Sequence, residues 1–290
     1  MRFEFIQEHT GGYSIKRMCA LLRISRSGYY AWKTRRSSTR AQENDRLLEH
    51  IRSIYIKNRR VYGSPRIYAA LRTEGIPCGV HRVARIMKKN GIQAVPHRRM
   101  KNKSLFTSTI DVGNLLQRQF MVKVPNTVWV TDITSFWTSL GWLNVAVIMD
   151  LYSRRIIGWA MGNRMTEELT IAAVEMAVLN RNPEQSLILH SDQGGQYQGA
   201  AYHGRLRLNN IIPSMSRRGD CYDNAVIESF FKTLKSELGI DNGFKTREEA
   251  RSKIFEYIEI FYNRQRLHST LGYVSPEQFE MKHNPKQSVH

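Results

Sequence analysis

The chain has 290 residues, more than one compact domain usually needs, with 41% apolar residues, 24% charged residues and a formal net charge of +19. This composition excludes a wholly disordered protein, and the longest apolar stretch, residues 140–152, is too short and too polar to cross a bilayer. The first residues contain no signal-peptide segment, and three scattered cysteines form no disulfide framework or zinc pair. We therefore expect a cytoplasmic protein without a membrane partner.

The positive charge is concentrated in the first two fifths of the chain. Residues 1–119 contain 25 Lys and Arg against 7 Asp and Glu, whereas residues 120–290 contain 19 against 18. A basic region of this size suits the phosphate backbone of DNA, because neutralised phosphates release condensed counterions. A solvated surface and an anionic membrane are the alternatives, but the membrane alternative lacks the apolar helix face that it requires.

The N-terminal 40 residues have a helix-turn-helix pattern. Residues 15–22 place apolar side chains at helical spacing, residues 23–28 form a basic turn, and residues 29–32 begin a second short helix. An ordinary helical hairpin fits the same pattern. The polar residues 35–46 are predicted to be a linker.

A second set of helices is predicted over residues 41–104. One helix runs from about residue 42 to residue 57, and the next has Ser64 as its N-cap, Pro65 in its first turn and Gly75 at its end. We interpret this region as a basic helix-turn-helix DNA-binding domain, followed by a linker over residues 105–123.

The helix predicted over residues 80–90 has two distinct faces and ends before Gly91. One face is apolar and contains Val80, Val83 and Met87. The other face is basic and contains Arg82, Arg85 and Lys89. A helix of this kind suits a DNA duplex, although a core-facing stripe with a merely solvated basic face has the same pattern. Arg82, Arg85 and Lys89 are therefore candidate DNA-binding residues.

The neutral half alternates strands and helices and is predicted to form a catalytic core over residues 124–240. Strands are predicted over residues 127–134, 143–149, 155–161, 186–190 and 211–215, and helices over residues 166–179, 200–208 and 224–238. This order predicts an α/β domain of the ribonuclease-H-like class with a five-stranded mixed sheet. A helical tail over residues 241–290 follows.

Three carboxylates stand at positions where this fold brings them together. Asp132 ends the first strand, Asp192 follows the fourth, and Glu228 lies inside the last long helix. Converging carboxylates repel one another, so a fold keeps them mainly to hold hard cations, and two Mg²⁺ ions about 3.5–4 Å apart activate a nucleophile and stabilise a leaving oxygen. Mn²⁺ accepts the same ligands.

A structural role is the alternative for any single carboxylate. Asp150 fits that role beside Arg154 and Arg155, and Asp223 fits it as a cap of the last long helix, whose buried stripe is predicted to include Val226 and Leu238.

Four sequence motifs carry a resemblance to a known family. They are Trp129-Val-Thr-Asp132-Ile-Thr, His190-Ser-Asp192-Gln-Gly-Gly-Gln-Tyr197, Asp223-Asn224-Ala225 with Glu228, and the tail Tyr262-Asn263-Arg264-Gln265-Arg266-Leu267-His268. Together they resemble the second-reading-frame product (OrfB) of the DDE transposases of the bacterial IS-three insertion-sequence family. The resemblance covers nearly the whole chain, and 35 residues separate Asp192 from Glu228, the spacing that this family shares with retroviral integrases.

The resemblance implies a function and a set of catalytic residues. Asp132, Asp192 and Glu228 match the metal-binding catalytic triad, with Mg²⁺ as cofactor. The expected reaction is metal-dependent cleavage and strand transfer at the ends of an insertion sequence. His190 matches a motif position near the site, with a buried packing role as the alternative.

The resemblance also implies DNA contacts. Lys235 matches a basic position at the element's end, and Lys232 shares its helix face with Glu228. Asn224 and Arg266 are further DNA-binding candidates, for which a helix cap and a packing role, respectively, are the alternatives.

The partners implied are double-stranded DNA, at element ends and target, and further copies of the chain on that DNA. An upstream reading-frame product or fusion is a further candidate partner, and nucleoid association is the expected location. Two rival functions remain at this point, a hydrolysis-only ribonuclease-H-like nuclease and an inactive DNA-binding regulator of transposition.

Overall fold

The computed structural model describes residues 1–35, 38–95, 112–217, 221–239 and 243–283, with only the backbone of residues 221 and 222. The chain divides into two compact units, Met1–Arg52 and Ser53–His290, each described by itself. In these described ranges, no helix is both long and apolar enough to cross a membrane. Residues 96–111, which hold the end of the predicted basic domain and the start of the predicted linker, lie outside them.

The first unit is helical and has a small core of its own. Its elements are α1 (Arg2–Glu8), α2 (Ile15–Leu21), α3 (Arg26–Thr34) and the first part of α4 (Thr39–Lys57). Ile6, Met18, Cys19 and Tyr29 form the buried cluster. Helices α2 and α3 form the predicted helix-turn-helix pattern, but the predicted turn was too long, because α3 already begins at Arg26 after its cap Ser25. Helix α1 was not predicted.

Serine side chains fix where the helices of this unit begin. Ser14 Oγ accepts the Arg17 N–H at 3.3 Å, and Ser25 Oγ accepts the Gly28 N–H at 3.0 Å. Ser38 Oγ likewise accepts the Ala41 N–H at 3.2 Å, and α4 begins at the next residue. The predicted linker over residues 35–46 was therefore too long, because a serine cap begins the helix within polar sequence.

The helices α5 (Ser64–Thr73) and α6 (Val80–Lys89) follow in the second unit. The N-cap of α5 is Gly63, one residue before the predicted Ser64. Gly75 and Gly91 follow the two helices at φ +75° and +66°, a left-handed backbone that suits glycine. The predicted helix ends are thus confirmed.

A five-stranded mixed sheet forms the centre of the second unit. The strands are β1 (Val128–Thr138), β2 (Gly141–Asp150), β3 (Ile156–Gly162), β4 (Leu187–Ser191) and β5 (Ile211–Met215). Their order is β3-β2-β1-β4-β5, with β1, β2 and β3 antiparallel and β4 and β5 parallel to β1. The five-stranded mixed sheet predicted for a ribonuclease-H-like core is confirmed.

Helices pack on this sheet and continue into the tail. They are α7 (Glu167–Arg181), α8 (Ala200–Leu208), α9 (Ala225–Leu238), α10 (Arg247–Phe255) and α11 (Pro276–His283), with a π-helical turn over Glu256–Tyr262. Helix α7 lies very close to β3, since a Cβ on Gly158 would stand 2.3 Å from the Ala173 carbonyl oxygen. The buried residues of α9 are Ile227, Phe230, Phe231 and Leu234, whereas the predicted Val226 and Leu238 are only half-buried.

The tail packs against the sheet and against the segment around α5. The Asn263 side chain bonds both the N–H and the carbonyl of Ile156, each at 2.9 Å. The Tyr62 hydroxyl donates to the Gln265 carbonyl at 3.2 Å and accepts the Leu267 N–H at 2.9 Å. The tail is therefore a structural part of this unit.

Candidate active site

The parallel pairing of β1 and β4 brings two aspartates to one end of the sheet. The prediction that Asp132 ends the first strand is wrong, because β1 continues to Thr138 through its pairing with β2. The β1–β4 ladder, however, ends at Val130 and His190, and Asp132 and Asp192 each follow two residues later along the chain. Parallel neighbours carry such positions to the same edge. Both side chains are half-buried.

These two aspartates lie in an environment that resists ionisation. Burial raises the pKa of Asp132 well above its usual range, and the negative charges of Asp192 and Glu228 raise it further. Burial also raises the pKa of Asp192, again with a contribution from Glu228. Each aspartate accepts one local N–H, from Ile133 at 2.8 Å and from Gly194 at 2.9 Å.

Glu228 lies in the first turns of α9, and its negative charge contributes to the raised pKa values of Asp132 and Asp192. Its carboxylate is 19% exposed and accepts a hydrogen bond from Lys232 Nζ at 3.3 Å, one turn along the helix. Lys235 lies two turns from Glu228, with its Nζ 5.5 Å from the centre of the Phe136 ring. Burial lowers the pKa of Lys235, and the nearby Asp132 charge opposes that shift.

The donor set suits a hard divalent cation. Three carboxylates from β1, the loop after β4 and α9 influence one another, and a cation bound between them relieves that repulsion. Within the described parts of the chain, however, no three Asp, Glu, His or Cys side chains stand in a ready-made metal-binding geometry. Glu228 is bonded to Lys232, so a metal ion competes with that lysine for the carboxylate.

Asn224 connects the start of α9 to the strand that carries Asp132. Its Nδ2 donates to the Thr131 carbonyl at 3.1 Å, and the residue is only 4% exposed. Asn224 occupies the N-cap position but its side chain does not cap the helix, and its buried Oδ1 has no hydrogen-bond partner among the described residues. Sequence reasoning had no means of finding the Thr131 contact, since a backbone carbonyl leaves no mark on the residue type.

His190 is a packed, neutral side chain beneath the site. Its Nδ1 and Nε2 lie 2.9 and 3.1 Å from the hydroxyls of Ser214 and Ser216. Burial lowers its pKa to about 4. These contacts agree with a buried packing role, which is the alternative given for His190 in the sequence analysis.

The two carboxylates interpreted as structural have different surroundings. Asp223 is buried and accepts hydrogen bonds from Arg118 Nε at 2.9 Å and Asn114 Nδ2 at 2.7 Å. Burial opposes ionisation, but hydrogen bonds, chiefly from Arg217, outweigh it and lower the pKa of Asp223 to about 2. Asp223 is thus not the cap of α9, because these partners hold it one residue before the N-cap.

Asp150 lies at the opposite end of the sheet and is fully buried. It accepts the N–H groups of Asn126 and Tyr152, both at 3.0 Å. Burial raises its pKa to about 6. Arg181, and neither of the predicted Arg154 and Arg155, is the cation that most favours its ionised form, beside these two backbone donors.

The candidate DNA-binding residues divide by exposure. Arg85 and Lys89 are exposed on α6, whereas Arg82 is half-buried. Lys232 is exposed on α9. Arg266 is 4% exposed at its side chain and paired with Glu237, so it has almost no surface to offer DNA and occupies the packing role left open above.

The chain matches three domain families and a set of transposases. Residues 123–221 and 228–283 match two families described as integrase core domain, and residues 42–100 match an HTH-like domain. Transposase InsF for insertion sequence IS3A of Escherichia coli (strain K12) is 42% identical, covering 97% of this chain and 99% of that protein.

A second relative and a solved structure extend the comparison. An uncharacterized 31 kDa protein of insertion element IS600 from Shigella sonnei is 42% identical, covering 92% of this chain and 98% of that protein. The HTLV-2 integrase catalytic core domain in complex with magnesium is 16% identical, covering 54% of this chain and 97% of that chain, with a TM-score of 0.43.

Proposed function

This chain belongs to the transposase family of the IS3 insertion sequences, and we propose that Asp132, Asp192 and Glu228 are the residues with which it cuts and joins DNA. DNA transposition by polynucleotidyl transfer is the activity of the family. Beyond that family activity, we propose which residues act, that the reaction depends on a divalent metal ion, and the order of its steps.

The supporting observation is the mutual influence of three carboxylates that come from separate elements. Burial and neighbouring negative charge raise the pKa values of Asp132 and Asp192, and Glu228 contributes to both shifts. A fold gains nothing in stability from such repulsion. A bound divalent cation would remove this repulsion, because the three carboxylates would then be its ligands.

The reaction is a pair of in-line displacements at phosphorus. In the first, water adds to a phosphodiester at the element end and the 3′-oxygen leaves as a hydroxyl. In the second, that 3′-hydroxyl attacks a phosphodiester of another strand, so one bond forms as one breaks and no external energy source is required. Two Mg²⁺ ions, or Mn²⁺, would activate the nucleophile and neutralise the leaving oxygen.

The protein's contribution to these steps is positioning. Asp132 and Asp192 are fixed by the sheet, and Glu228 comes from the first turns of α9, which Asn224 ties to β1. Lys235 stands beside this cluster, and we propose that it and Lys232 contact the DNA end. We do not extend that role to Arg266, whose guanidinium is bound by Glu237.

The test compares the wild-type chain with Glu228→Gln on a plasmid that carries the gene and its flanking DNA. We expect strand-joined or circular element products from the wild type, and no cleavage or joining from Glu228→Gln with unchanged DNA binding. Glu175→Gln, on exposed α7 surface, is the matched control and keeps activity. Cleavage retained in Glu228→Gln removes that residue from the mechanism.

The product pattern also separates the rival functions. Cutting without joining by the wild type indicates a hydrolysis-only nuclease. DNA binding without any turnover, even with the upstream reading frame supplied in fusion, indicates an inactive regulator. Assembly on DNA as an oligomer, the fusion requirement and nucleoid association stay predictions.

We also propose that α6 contacts the DNA backbone through Arg82, Arg85 and Lys89. Removing one side chain that binds a phosphate makes the log–log dependence of affinity on salt shallower by about 0.9. We expect this change in Arg85→Ala and no change in Arg205→Ala, an arginine of α8 paired with Glu175. An unchanged slope in Arg85→Ala places the DNA surface elsewhere.

A further inference from the structure

A polar cavity of about 400 Å³ lies between α9 and the C-terminal tail, within the second unit. Its α9 wall contains Ala225, Ser229 and Thr233, and the tail contributes Ser269 and Thr270. Among the described residues, its walls contain no Asp or Glu. The cavity is therefore separate from the carboxylate cluster, although both use α9.

Three arginines line this cavity. Arg266 is neutralised by Glu237, with its Nη2 2.7 Å from the carboxylate. Arg66 Nε and Arg154 Nη2 instead donate to the backbone carbonyls of Leu267 and Phe120, both at 2.8 Å. Carbonyls carry no net charge, so these bonds leave the cationic charge of both guanidinium groups in place.

The carboxylate that attracts Arg154 is Asp150, which lies outside the cavity wall and is committed to backbone donors. Burial and then the charge of Arg266 lower the pKa of Arg66, and the opposing attraction comes chiefly from Glu237, which is already paired with Arg266. The cavity thus holds more positive than negative charge in a half-buried setting.

Two nitrogen atoms in the cavity wall are buried without a hydrogen-bond partner among the described residues. They are Arg154 Nη1 and His268 Nε2, and His268 is only 8% exposed. Buried polar atoms nearly always find a partner, and two unpaired nitrogen atoms in one cavity wall are groups that a bound molecule can satisfy together. Burial, and then Arg266, Arg66 and Arg154, lower the pKa of His268, whose neutral ring still carries one N–H to donate.

The start of α9 adds a further attraction for an anion. Ala225 is the first residue of this 14-residue helix and forms part of the wall. The first N–H groups of a helix and its dipole favour negative charge at this end. Hydroxyl groups of Ser229 and Thr270 provide neutral donors nearby.

We propose that this cavity is a binding site for a phosphate group. Guanidinium groups bind phosphate oxygens through paired, charge-assisted hydrogen bonds, and unpaired N–H groups and hydroxyls complete a tetrahedral anion's contacts. The phosphate comes either from the DNA backbone or from a free phosphorylated small molecule. The site rests on the cavity alone, and only its assignment to DNA rests on the proposed function.

Two variants and two matched controls test the site in the full chain. Arg154→Gln removes the charge and keeps a polar side chain; its control, Arg251→Gln, removes an arginine that likewise donates to a backbone carbonyl, that of Met161 at 3.0 Å. Thr270→Glu places a carboxylate at the exposed rim, and Thr270→Gln is its uncharged counterpart. The Thr270 pair is on the surface, so folding is preserved.

The first arm titrates pyrophosphate by calorimetry at constant ionic strength without divalent metal. We expect one saturable site in the wild type, binding at least tenfold weaker in Arg154→Gln and Thr270→Glu, and no more than a twofold change in the two controls. Absence of saturable binding in the wild type overturns the proposal. Equal affinity in the wild type and both cavity variants overturns it too.

The second arm identifies the source of the phosphate by measuring duplex DNA affinity against salt concentration. For a DNA phosphate, Arg154→Gln makes the salt dependence shallower by about 0.9, and pyrophosphate competes with the duplex. For a free phosphorylated molecule, the DNA measurements are unchanged while pyrophosphate affinity falls. Neither arm measures cleavage, so failure of the catalytic proposal in Glu228→Gln leaves both readouts intact.

Discussion

Carboxylates at two places in the second unit have opposite surroundings. Asp132, inside β1, and Asp192, after β4, have pKa values raised by burial and by neighbouring carboxylates. Glu237 and Asp223 are instead held by arginines, and in Asp223 this lowers the pKa to about 2. The same fold therefore neutralises Glu237 and Asp223 with arginines and leaves the carboxylates of the candidate site repelling one another.

The largest expected effect is the loss of stability in Glu237→Gln, which breaks the buried ion pair between Glu237 and Arg266. Glu237 and Arg266 are 3% and 4% exposed at their side chains, and the glutamate also accepts a hydrogen bond from the Tyr257 hydroxyl at 2.7 Å. Removing the charge of one partner leaves Arg266 buried and uncompensated, so we expect a loss of about 3–5 kcal/mol of unfolding free energy. Urea unfolding followed by tryptophan fluorescence measures it.

The control for this prediction is a surface ion pair. Glu49→Gln removes the exposed partner of Arg52, and we expect a loss below about 1 kcal/mol. A loss of that small size in Glu237→Gln contradicts the structural role given to the buried pair.

The order of strands and helices along the chain was predictable from the sequence because the two kinds of element have distinct periodicity. The elements with the cleanest boundaries, β5 and α8, were predicted at the residues where they occur. The tail was predicted only as helical, because its role depends on long-range contacts such as Asn263 with Ile156, more than 100 residues apart. Helix α1 was missed because its seven residues bury only Ile6.

The second prediction uses pH and the difference between Asp150 and Asp223. Burial raises the pKa of Asp150 to about 6, so the folded chain keeps this proton at pH values where the unfolded chain, with a pKa of about 3.9, has lost it. Unfolding free energy therefore falls as the pH rises from about 4 to 6, by about 3 kcal/mol from this residue. Asp150→Asn removes that contribution to the pH dependence.

Asp223 provides the matched comparison because its sign is reversed. Its pKa is lowered to about 2, so its stabilising contribution is present above about pH 4 and is lost as the pH falls toward 2. Asp223→Asn should flatten the acid limb, and Asp150→Asn the limb between about pH 4 and 6, in urea unfolding at stepped pH. The same change in both variants contradicts this division.

The third prediction concerns the hydrogen bond by which Asn224, at the start of α9, holds the helix of Glu228 to the strand of Asp132. Asn224→Ala removes the hydrogen bond to the Thr131 carbonyl, with an expected stability loss of about 1–2 kcal/mol. Because that bond holds α9 beside the strand of Asp132, we expect strand-transfer turnover to fall about tenfold, equivalent to about 1.4 kcal/mol. Duplex affinity and its salt dependence should be unchanged, since the side chain is buried.

If the salt dependence of duplex affinity changes in Asn224→Ala, then Asn224 contacts DNA, as the sequence analysis suggested. Ala225→Gly, at the next residue of the same helix, is the control for general weakening of the start of α9. If both variants lose activity equally, the Thr131 contact carries no specific positioning role.

The site itself was predictable in part, and the reason lies in what each residue type records. Carboxylates in strand and helix motifs are visible in sequence, so Asp132 in β1, Asp192 after β4 and Glu228 in α9 were found as candidates. The partners of Arg266 and Asn224 were not, because a buried arginine and an exposed one have the same letter. Arg154 was considered only as a possible ion-pair partner, since its place in a cavity depends on the fold of the tail.

The smallest expected effect on stability tests whether Glu228 is held ready for a cation. Lys232→Met removes the i,i+4 partner of Glu228 at 3.3 Å, and such exposed helix pairs contribute only about 0.3–0.5 kcal/mol. If Glu228 is a metal ligand, the lysine competes with the cation, so Mg²⁺ or Mn²⁺ affinity measured by calorimetry should rise severalfold. Lys232→Arg keeps the pair and should keep the wild-type affinity. Equal metal affinity in Lys232→Met and the wild type means that the carboxylate does not bind the ion, and the metal site then involves Asp132 and Asp192 without Glu228.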